Sequence, residues 1–554
     1  MSNDFLKINY DLQKKIWKSE NYPYKNLTNR TVGEAFLQSM RSLERNKVLE
    51  YHYDEQKEKL VKDLYQEAII VAGNLQRLGL SRGDVVILFS GYNYMTSSLT
   101  FGTLLMGGVV NFFEVKLENE NIDEMFDIIQ PSMILYEAVF LEKILKSLKR
   151  HKPKSLKYLF AIDRLNTPNI ANELLKSCES IDFDQFQSIE IENPQLEVAF
   201  LVLTSGTTGL PKVTQLTHCL LLNGVYVWWA NAFNYEPLDS NSLLFSLSPL
   251  RWISQVVLLL QSALLGIKRI CANRAATGAY GLKILRETKP THIFSVPSFF
   301  YEVLLELKSN DKESLKSLKY IQLGGEPPSS VIINLTKKSA VYCKLFYSYG
   351  MSEVSCSITN DEHISGGKLQ PGFEMQVLDD HLQPLGPNQY GRLAIKTPYP
   401  FVGYKGQDNS KYFLENGFFL NGDYGYFDES NTLHFLARLK DLIKYQDVLL
   451  IPNLIEQMVL SLAEISSVCL VGYRPSEEDP NEVAALFVIL KEGVTTSHQD
   501  LSLKIRDIWS QNLSEDQILL IHDIYYKKKF PLTTCGKIDR IALRELALEM
   551  AELN

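Results

Sequence analysis

The sequence has few cysteines, no basic excess and no visible internal repeat or low-complexity tract. Its seven cysteines include no C-x-x-C pair and are odd in number, which favours a reduced intracellular compartment where most thiols are buried fillers. The formal net charge is -8, whereas a nucleic-acid-binding protein usually carries a basic field. We therefore expect neither a disulfide scaffold nor a nucleic-acid partner.

Targeting and membrane signals are also scarce. The N-terminus, MSNDFLKINYDLQKKIW, has no apolar core of a secretory signal, and the C-terminus, EMAELN, is not an S-K-L address. Residues 85–113 carry no charge, but serine, asparagine, threonine and glycine interrupt them, so the run predicts a buried strand–helix–strand unit. We expect no transmembrane segment and an intracellular, cytoplasmic location, with the peroxisome left open.

The chain of 554 residues is too long for a single hydrophobic core. Residues 60–190 alternate helical periodicity with short apolar runs, and the runs FLVLTSG, LLFSLSP, HIFSVPS and YIQLGGE continue the pattern, which is typical of βαβ units. We predict an α/β fold of several subdomains. A large N-terminal body, residues 1–438, has two α/β sheets and a small β-subdomain, and a small α+β C-terminal lobe covers residues 439–554.

The most informative motif is L-T-S-G-T-T-G-L-P-K at residues 203–212, between an apolar strand and a helix predicted from Thr217. Two glycines allow backbone N–H groups to converge, and hydroxyls and one ammonium add donors, so the loop suits a polyphosphate. Walker A spacing is absent, and Gly350–Val354 lacks the closing glycine of a nucleophile elbow. The candidate phosphate donors are Thr204, Ser205, Gly206, Thr207, Thr208 and Lys212.

This loop resembles the phosphate-binding signature of the adenylate-forming, or AMP-binding, superfamily, especially its stand-alone acyl-CoA synthetases of the luciferase-like and aryl-CoA ligase branch. Four more segments are similar to the family's motifs in the family's order: F-Y-S-Y-G-M-S-E at 346–353, G-F-F-L-N-G-D at 417–423, R-L-K-D-L-I-K at 438–444 and P-L-T-T-C-G-K-I at 531–538. The resemblance implies the adenylate-forming fold with a mobile C-terminal lobe. It also implies that a small-molecule carboxylate is activated with ATP and Mg²⁺ and then transferred to CoA.

The resemblance also implies roles for charged residues. Glu353 is similar to the carboxylate that associates with Mg²⁺, an ion that prefers hard oxygen ligands. Lys537 is similar to the catalytic lysine that bridges the substrate carboxylate and the α-phosphate, where a cation offsets the repulsion of like charges. Asp423 is similar to the acid that accepts both ribose hydroxyls, and Arg438 would reach the ribose or the phosphate.

The base and the acyl group have candidate residues of their own. The family's adenine turn is similar to Gly324, Gly325, Glu326 and Pro327, and Tyr349 would stack on the base. Gly350 and Ser352 belong to the same nucleotide-binding motif as Glu353. The resemblance implies that Trp252 stands at the gate of the acyl pocket and that Gly324 also belongs to this pocket. The other aromatic candidates for the pocket are Trp228, Trp229, Phe233 and Phe245.

The sequence departs from the family's pattern in a loop that serves the last half-reaction. Lys440 corresponds to the hinge, and Lys444 is a candidate catalytic residue in the loop that closes over the pantetheine tunnel. In that loop Asp447 stands where glycine is usual, so it adds bulk and charge beside the thiol. The leading hypothesis is an acyl-CoA ligase for a fatty or other apolar acid. The alternatives are an adenylate-forming or ligand-binding protein with a weak or lost CoA step and, less favoured, a luciferase-like monooxygenase.

Overall fold

The structure is a computed structural model of the chain. It describes residues 8–19, 22–113, 119–163, 174, 181–204, 211–228, 238–274, 276–307, 311–328, 330–361, 366–446, 448–475, 481–531 and 538–552. The described backbone is mixed α/β with several sheets, which confirms the predicted fold class.

Strands are numbered in chain order. In the first part of the chain they are β1 Ile8–Asp11, β2 Ile16–Ser19, β3 Val48–His52, β4 Lys57–Leu60, β5 Val85–Phe89, β6 Val109–Phe112, β7 Met133–Tyr136, β8 Tyr158–Ala161, β9 Val198–Thr204, β10 Lys212–Thr217, β11 Leu243–Phe245, β12 Lys268–Cys271 and β13 His292–Ser295. The remaining strands are β14 Tyr320–Gly324, β15 Lys344–Met351, β16 Cys356–Asp361, β17 Gly366–Leu369, β18 Glu374–Leu378, β19 Gly391–Lys396, β20 Phe419–Phe427, β21 Leu433–Arg438, β22 Ile443–Tyr445, β23 Val448–Leu450, β24 Ile465–Tyr473, β25 Val483–Leu490 and β26 Ile521–Tyr526.

The α-helices connect these strands. They are α1 Lys25–Thr28, α2 Val32–Ser42, α3 Val61–Arg77, α4 Thr96–Leu105, α5 Asn119–Ile129, α6 Leu141–Arg150, α7 His218–Val227, α8 Ile253–Leu265, α9 Gly278–Thr288, α10 Pro297–Leu305, α11 Ser330–Ser339, α12 Pro452–Leu460, α13 His498–Asn512, α14 Glu515–Leu519 and α15 Arg540–Glu552. Two short 3-10 turns, Ser352–Val354 and Leu439–Asp441, carry residues of the candidate site.

The residues group into two compact units. The first comprises Met1–Pro327, Lys337–Met375 and Ile395–Phe419, and the second comprises Pro328–Thr336, Gln376–Ala394 and Leu420–Asn554. The second unit thus includes β20 and β21, which the sequence analysis assigned to the N-terminal body. This grouping reflects packing and not motion, so a mobile lobe beginning after Arg438 stays a prediction.

The first unit contains two largely parallel regions of sheet. One sheet has the order β10-β9-β6-β5-β7-β8, and the other region runs β15-β14-β13-β11-β12-β3. Every adjacent pair in these two orders is parallel except β10–β9. Helical crossovers between parallel strands explain why the sequence alternates the two periodicities.

The uncharged stretch forms β5, α4 and β6, and the side chains of all three elements are buried. Helix α4 lies against α3 because Gly102 has no side chain. A Cβ on Gly102 would come within 2.4 Å of Val71 Cγ1. Within the described ranges, no helix is both long and apolar enough to cross a membrane.

A buried charge network joins β3, β12 and α4. Glu50 accepts hydrogen bonds from Arg269 at 2.5 Å, Ser97 at 3.0 Å and Tyr92 at 3.2 Å, and His52 Nε2 lies 3.0 Å from it. The side chains of Glu50 and Arg269 are only 2% and 3% exposed. Burial would raise the pKa of Glu50, but Arg269 and His52 outweigh it and lower that pKa to about 2.

The second unit contains the antiparallel pair β20–β21, the hairpin β22–β23 and the sheet β24-β25-β26. Helix α15 is tied to α12 by Arg540, whose Nη2 lies 2.7 Å from Glu456 Oε1. The carboxylate of Glu456 also accepts from the backbone N–H of Leu470 on β24 at 2.8 Å. These bonds join the two helices to β24, an edge strand of the three-stranded sheet.

Candidate active site

Three segments of the candidate site lie at the carboxyl ends of the parallel strands β11, β14 and β15 in the first unit, with β13 between β11 and β14. Gly324 ends β14 and is the register partner of Ser348 on β15, while Trp252 follows β11 and caps α8. In open α/β sheets, ligands bind in the crevice beyond the carboxyl ends of the strands. Parallel pairing therefore brings together the predicted adenine turn, the Y-G-M-S-E segment and the acyl gate.

The predicted adenine turn packs closely against β15 and is hydrogen-bonded to the N-terminus of α10. A Cβ on Gly324 would lie 2.4 Å from Ser348 Oγ, and Gly325 has a φ of +90° that side chains rarely adopt. Glu326 Oε1 accepts from the backbone N–H of Ser298, in the first turn of α10, at 2.7 Å. A carboxylate at a helix N-terminus is favourable. This bond fixes the turn and leaves Gly325 and Pro327 exposed.

The Y-G-M-S-E segment passes through a β-bulge. The register between β15 and β16 shifts between Tyr349 and Gly350, and a bulge increases strand twist and redirects side chains. Ser352 and Glu353 then enter the 3-10 turn, which ends at Ser355 with a φ of +61°. The two neighbouring side chains of Ser352 and Glu353 are both half-buried.

Helix α7, which follows the phosphate loop, supports this turn. Thr217 caps the helix by accepting from the Leu220 backbone N–H at 3.3 Å. A Cβ on Gly224 would lie 2.3 Å from the backbone oxygen of Ser355. Only a glycine allows the helix to approach the Glu353 turn so closely. The phosphate-loop hairpin and the carboxylate turn are therefore packed as one assembly.

Only the two ends of the phosphate loop belong to the described residues. Strands β9 and β10 pair antiparallel, and Thr204 is the register partner of Lys212, so the loop's two ends are fixed beside each other. Four of the six expected donors lie outside the described residues, namely Ser205, Gly206, Thr207 and Thr208. Their role stays a prediction.

Lys212 lies beside two aromatic rings that pack edge-on against each other at 5.0 Å. Its Nζ lies 4.6 Å from the ring centroid of Tyr404 and 4.6 Å from that of Tyr412. Cation–π attraction at such distances is worth about 0.5–2 kcal/mol. The ammonium therefore has a defined position at the end of the loop.

Glu353 is joined to the same aromatic residue. Tyr404 donates its hydroxyl hydrogen bond to Glu353 Oε1 at 2.7 Å, and β10 packs against the turn Ser352–Val354. The sequence analysis missed Tyr404. Its only signal is the preceding Gly403, whose φ of +96° permits a sharp bend, and that signal does not indicate which side chains Tyr404 touches.

The predicted ribose site lies in the second unit. Asp423 on β20 and Arg438 at the end of β21 are cross-strand partners, and Arg438 Nε lies 3.0 Å from Asp423 Oδ1. Asp423 is 0% exposed and Arg438 is 49% exposed. Asn421 Oδ1 accepts from the Asp423 backbone N–H at 3.0 Å, and Gly422 has a φ of +77°. The arrangement places a buried carboxylate beside a half-exposed cation.

The predicted hinge and tunnel residues also lie in the second unit. Lys440 is in the 3-10 turn after β21, and its carbonyl accepts from Arg544 at 2.9 Å. Lys444 Nζ lies 3.7 Å from Asp380 Oδ2. A hydrogen bond from Arg392, together with Lys444, lowers the pKa of Asp380. Asp447 and Lys537 lie outside the described residues.

The aromatic candidates for the acyl pocket separate into two groups. Trp228 is 4% exposed, donates to Gln322 Oε1 at 2.9 Å and packs edge-on against Phe294 at 5.1 Å. Phe245 is buried in β11, whereas Trp252 is half-buried at the start of α8. The remaining candidates, Trp229 and Phe233, lie outside the described residues.

A different cluster has donor spacing suited to a metal. Ligand atoms of Glu50, His52 and Cys271 lie within 4.8 Å of one another. However, Glu50 already accepts from Arg269, and a guanidinium at that distance repels a second cation. We assign this cluster to the buried charge network. Glu353, with one carboxylate oxygen bound by Tyr404, fits a hard oxygen ligand for Mg²⁺ better.

The comparisons with known proteins agree with this geometry. The family described as AMP-binding enzyme matches residues 42–405. A long-chain-fatty-acid–CoA ligase of Bacillus subtilis (strain 168) is 25% identical over 87% of this chain and 89% of its own length. The luciferin 4-monooxygenase of Photinus pyralis is 24% identical over 88% of each chain.

A solved structure shows the same fold. ATP-bound MatB from Rhodopseudomonas palustris has a TM-score of 0.81 at 19% identity, covering 94% of this chain and 99% of MatB. The family match spans the phosphate loop, the adenine turn and the Glu353 turn. The chain therefore belongs to the AMP-binding enzyme family, the adenylate-forming acyl- and aryl-CoA ligases with their luciferase-like relatives.

Proposed function

We propose that this protein activates a carboxylic acid with ATP to form an acyl-adenylate and then transfers the acyl group to CoA. The observation that carries the proposal is the chain of contacts from Lys212 through Tyr404 to Glu353 at the end of the phosphate loop. It joins the proposed phosphate-binding cation and the proposed metal-binding carboxylate through one tyrosine side chain. The family match, which covers these residues, supports the same reaction.

In the first half-reaction, a carboxylate oxygen attacks the α-phosphate and pyrophosphate leaves. The loop donors and Lys212 bind the phosphates, and Glu353 holds Mg²⁺, which when bound neutralises phosphate charge. Asp423 accepts from the ribose hydroxyls, held in place by its bond with Arg438. Lys537 supplies the cation that offsets repulsion between carboxylate and phosphate. These residues bind and orient, and the leaving group carries the electron pair of the broken bond.

In the second half-reaction, the CoA thiol attacks the acyl carbonyl and AMP leaves. We propose that the C-terminal lobe turns about Lys440 and brings the Lys444 loop to the tunnel. The carbonyl of Lys440 is bonded to Arg544, so a turn here rearranges the contact between the 3-10 turn and α15. Hinges of this kind absorb large φ/ψ changes at a few residues.

We propose an apolar acid as the substrate. The ring of Trp228 is locked by Gln322 and Phe294, so it forms a rigid apolar wall near the carboxyl ends of the strands. The similar Bacillus protein is named for long-chain fatty acids. A panel of fatty, aryl and short dicarboxylic acids, scored by AMP release, tests this. Preference for a dicarboxylic acid would contradict an apolar pocket.

The alternative is an adenylate-forming protein whose CoA step is weak. It is favoured by Asp447, which replaces the usual glycine of the tunnel loop. AMP release measured with and without CoA, together with mass spectrometry of the thioester, separates the two. Light emission with ATP and luciferin would instead reveal the lesser alternative, a monooxygenase like the similar Photinus protein.

A further inference from the structure

Tyr404 touches two charged side chains of the candidate site. Its hydroxyl donates to Glu353 Oε1 at 2.7 Å, and its ring centroid lies 4.6 Å from Lys212 Nζ. The side chain of Tyr404 is buried, at 4% exposed. A displacement of this ring would therefore move the surroundings of both charges together.

The backbone of Tyr404 is held firmly. Its N–H donates to Asn409 Oδ1 at 2.8 Å, and Asn409 Nδ2 donates back to the Tyr404 carbonyl at 3.0 Å. Tyr404 also forms an antiparallel bridge with Thr214 of β10, and the next N–H, of Lys405, donates to the Val213 carbonyl at 2.8 Å. The ring is thus anchored directly to the strand that leaves the phosphate loop.

We propose that Tyr404 is a positioning residue that couples metal binding at Glu353 to phosphate binding at Lys212. The hydroxyl fixes the orientation of the carboxylate that would hold the cation accompanying ATP. The ring holds the Lys212 ammonium beside the end of the loop. The inference rests on the proposed function, because it assigns Tyr404 a role in binding Mg²⁺-ATP.

Tyr412 makes the two contacts of Tyr404 separable. Its ring also lies 4.6 Å from Lys212 Nζ and packs edge-on against the Tyr404 ring at 5.0 Å, but its hydroxyl donates to Gln407 Oε1 at 3.1 Å. Tyr404→Phe therefore removes the bond to Glu353 and keeps both rings. Tyr412→Leu removes a ring and keeps that bond.

The test compares the affinity for ATP with excess Mg²⁺ and with EDTA, by titration calorimetry on the full chain. Loss of a hydrogen-bond partner of a metal-binding carboxylate typically costs about 10–100-fold in affinity. Tyr404→Phe should weaken Mg²⁺-ATP binding about tenfold and change metal-free ATP binding less than about twofold. Tyr412→Leu should weaken both affinities by similar factors, since its ring acts on Lys212 and not on Glu353.

Two further variants exclude a merely structural effect. Tyr280→Phe removes another hydroxyl that donates to a carboxylate, Asp54 at 2.6 Å, on elements outside the site, and should leave both affinities unchanged. On a Glu353→Gln background, Tyr404→Phe should no longer lower the Mg²⁺-ATP affinity, because the orientation of a metal-binding carboxylate is already lost.

The possible outcomes distinguish a failure of the proposed role of Tyr404 from a failure of the proposed adenylation activity. Equal weakening of Mg²⁺-ATP and metal-free ATP binding by Tyr404→Phe, or no change in either, would overturn the role of Tyr404 while adenylation stands. An undiminished effect on the Glu353→Gln background would overturn it as well. A wild-type chain that binds Mg²⁺-ATP no better than metal-free ATP, and releases no AMP with any acid, would overturn the proposed function with it.

Discussion

The buried pair Glu50–Arg269 allows a quantitative prediction. Arg269→Met keeps much of the side-chain volume but leaves the fully buried Glu50 without its cation. Breaking a buried ion pair by removing one partner typically costs about 3–5 kcal/mol, because the remaining charge is desolvated and uncompensated. The loss should concentrate in β3 and β12, the parallel strands that carry the pair.

Hydrogen–deuterium exchange of peptides spanning β3 and β12 measures this loss directly, even where the two units unfold separately. A loss of about 3–5 kcal/mol corresponds to a fall in protection of roughly 10²–10⁴-fold. Arg82→Met is the matched control, because Arg82 pairs with Glu197 through two 2.9 Å bonds but is far more exposed. This control should change protection little.

The pH dependence of the loss tests its cause. In the wild type Arg269 holds the pKa of Glu50 at about 2, below the usual 4.5, so the pair's stabilisation is present above pH 4.5 and is lost as the pH falls toward 2. In Arg269→Met the buried Glu50 should protonate at higher pH, and its deficit should shrink between pH 7 and pH 4.5. Adding Glu50→Gln should recover part of the loss. A deficit that stays the same at both pH values, or unchanged protection, would refute the argument.

Four further predictions follow from the site and the fold. Lys537→Ala should slow adenylation by about 10²–10³-fold or more with ATP affinity nearly intact, because its charge acts chiefly as attack proceeds; equal loss of ATP affinity with unchanged turnover would contradict this. Lys440→Pro should fix φ and impair thioester formation more than pyrophosphate exchange. Asp447→Gly should raise CoA-dependent turnover and leave pyrophosphate exchange unchanged, whereas a fall would mean that the carboxylate assists the thiol. Burial lowers the pKa of His218 and of His292 to about 4, so the unfolded chain takes up protons on these residues at a higher pH than the folded chain. The urea midpoint of unfolding should therefore fall as the pH is lowered from 6.5 toward 4, and this effect should be absent above pH 6.5.

Much of the fold could be predicted from the sequence, because strands and helices depend on the local pattern of apolar and polar residues. The uncharged run 85–113 was correctly predicted as a buried strand–helix–strand unit, and its interruption by small and polar residues was the deciding signal. The phosphate loop was correctly placed after a strand, but β10, which follows it and pairs antiparallel with β9, was not predicted. A six-residue strand leading into a helix shows little periodicity of its own.

The contacts that complete the candidate site could not be predicted from the sequence, because they join distant parts of the chain. Tyr404 and Glu353 are 51 positions apart, and Lys212 is farther still along the sequence. In the sequence, Asp423 and Arg438 belong to two separate motifs. The register of β20 and β21 makes them direct cross-strand neighbours. The role of Glu326 at the start of α10 depends equally on tertiary packing.

The formation of an acyl-adenylate is tested most directly by isotope transfer. The protein is incubated with ATP, Mg²⁺, CoA and an acid whose two carboxylate oxygens are oxygen-18. If the carboxylate attacks the α-phosphate, one oxygen-18 atom passes to AMP when the thiol displaces it, and pyrophosphate stays unlabelled. Labelled AMP is the predicted result. Oxygen-18 in inorganic phosphate, with ADP as the nucleotide product, would contradict adenylate formation.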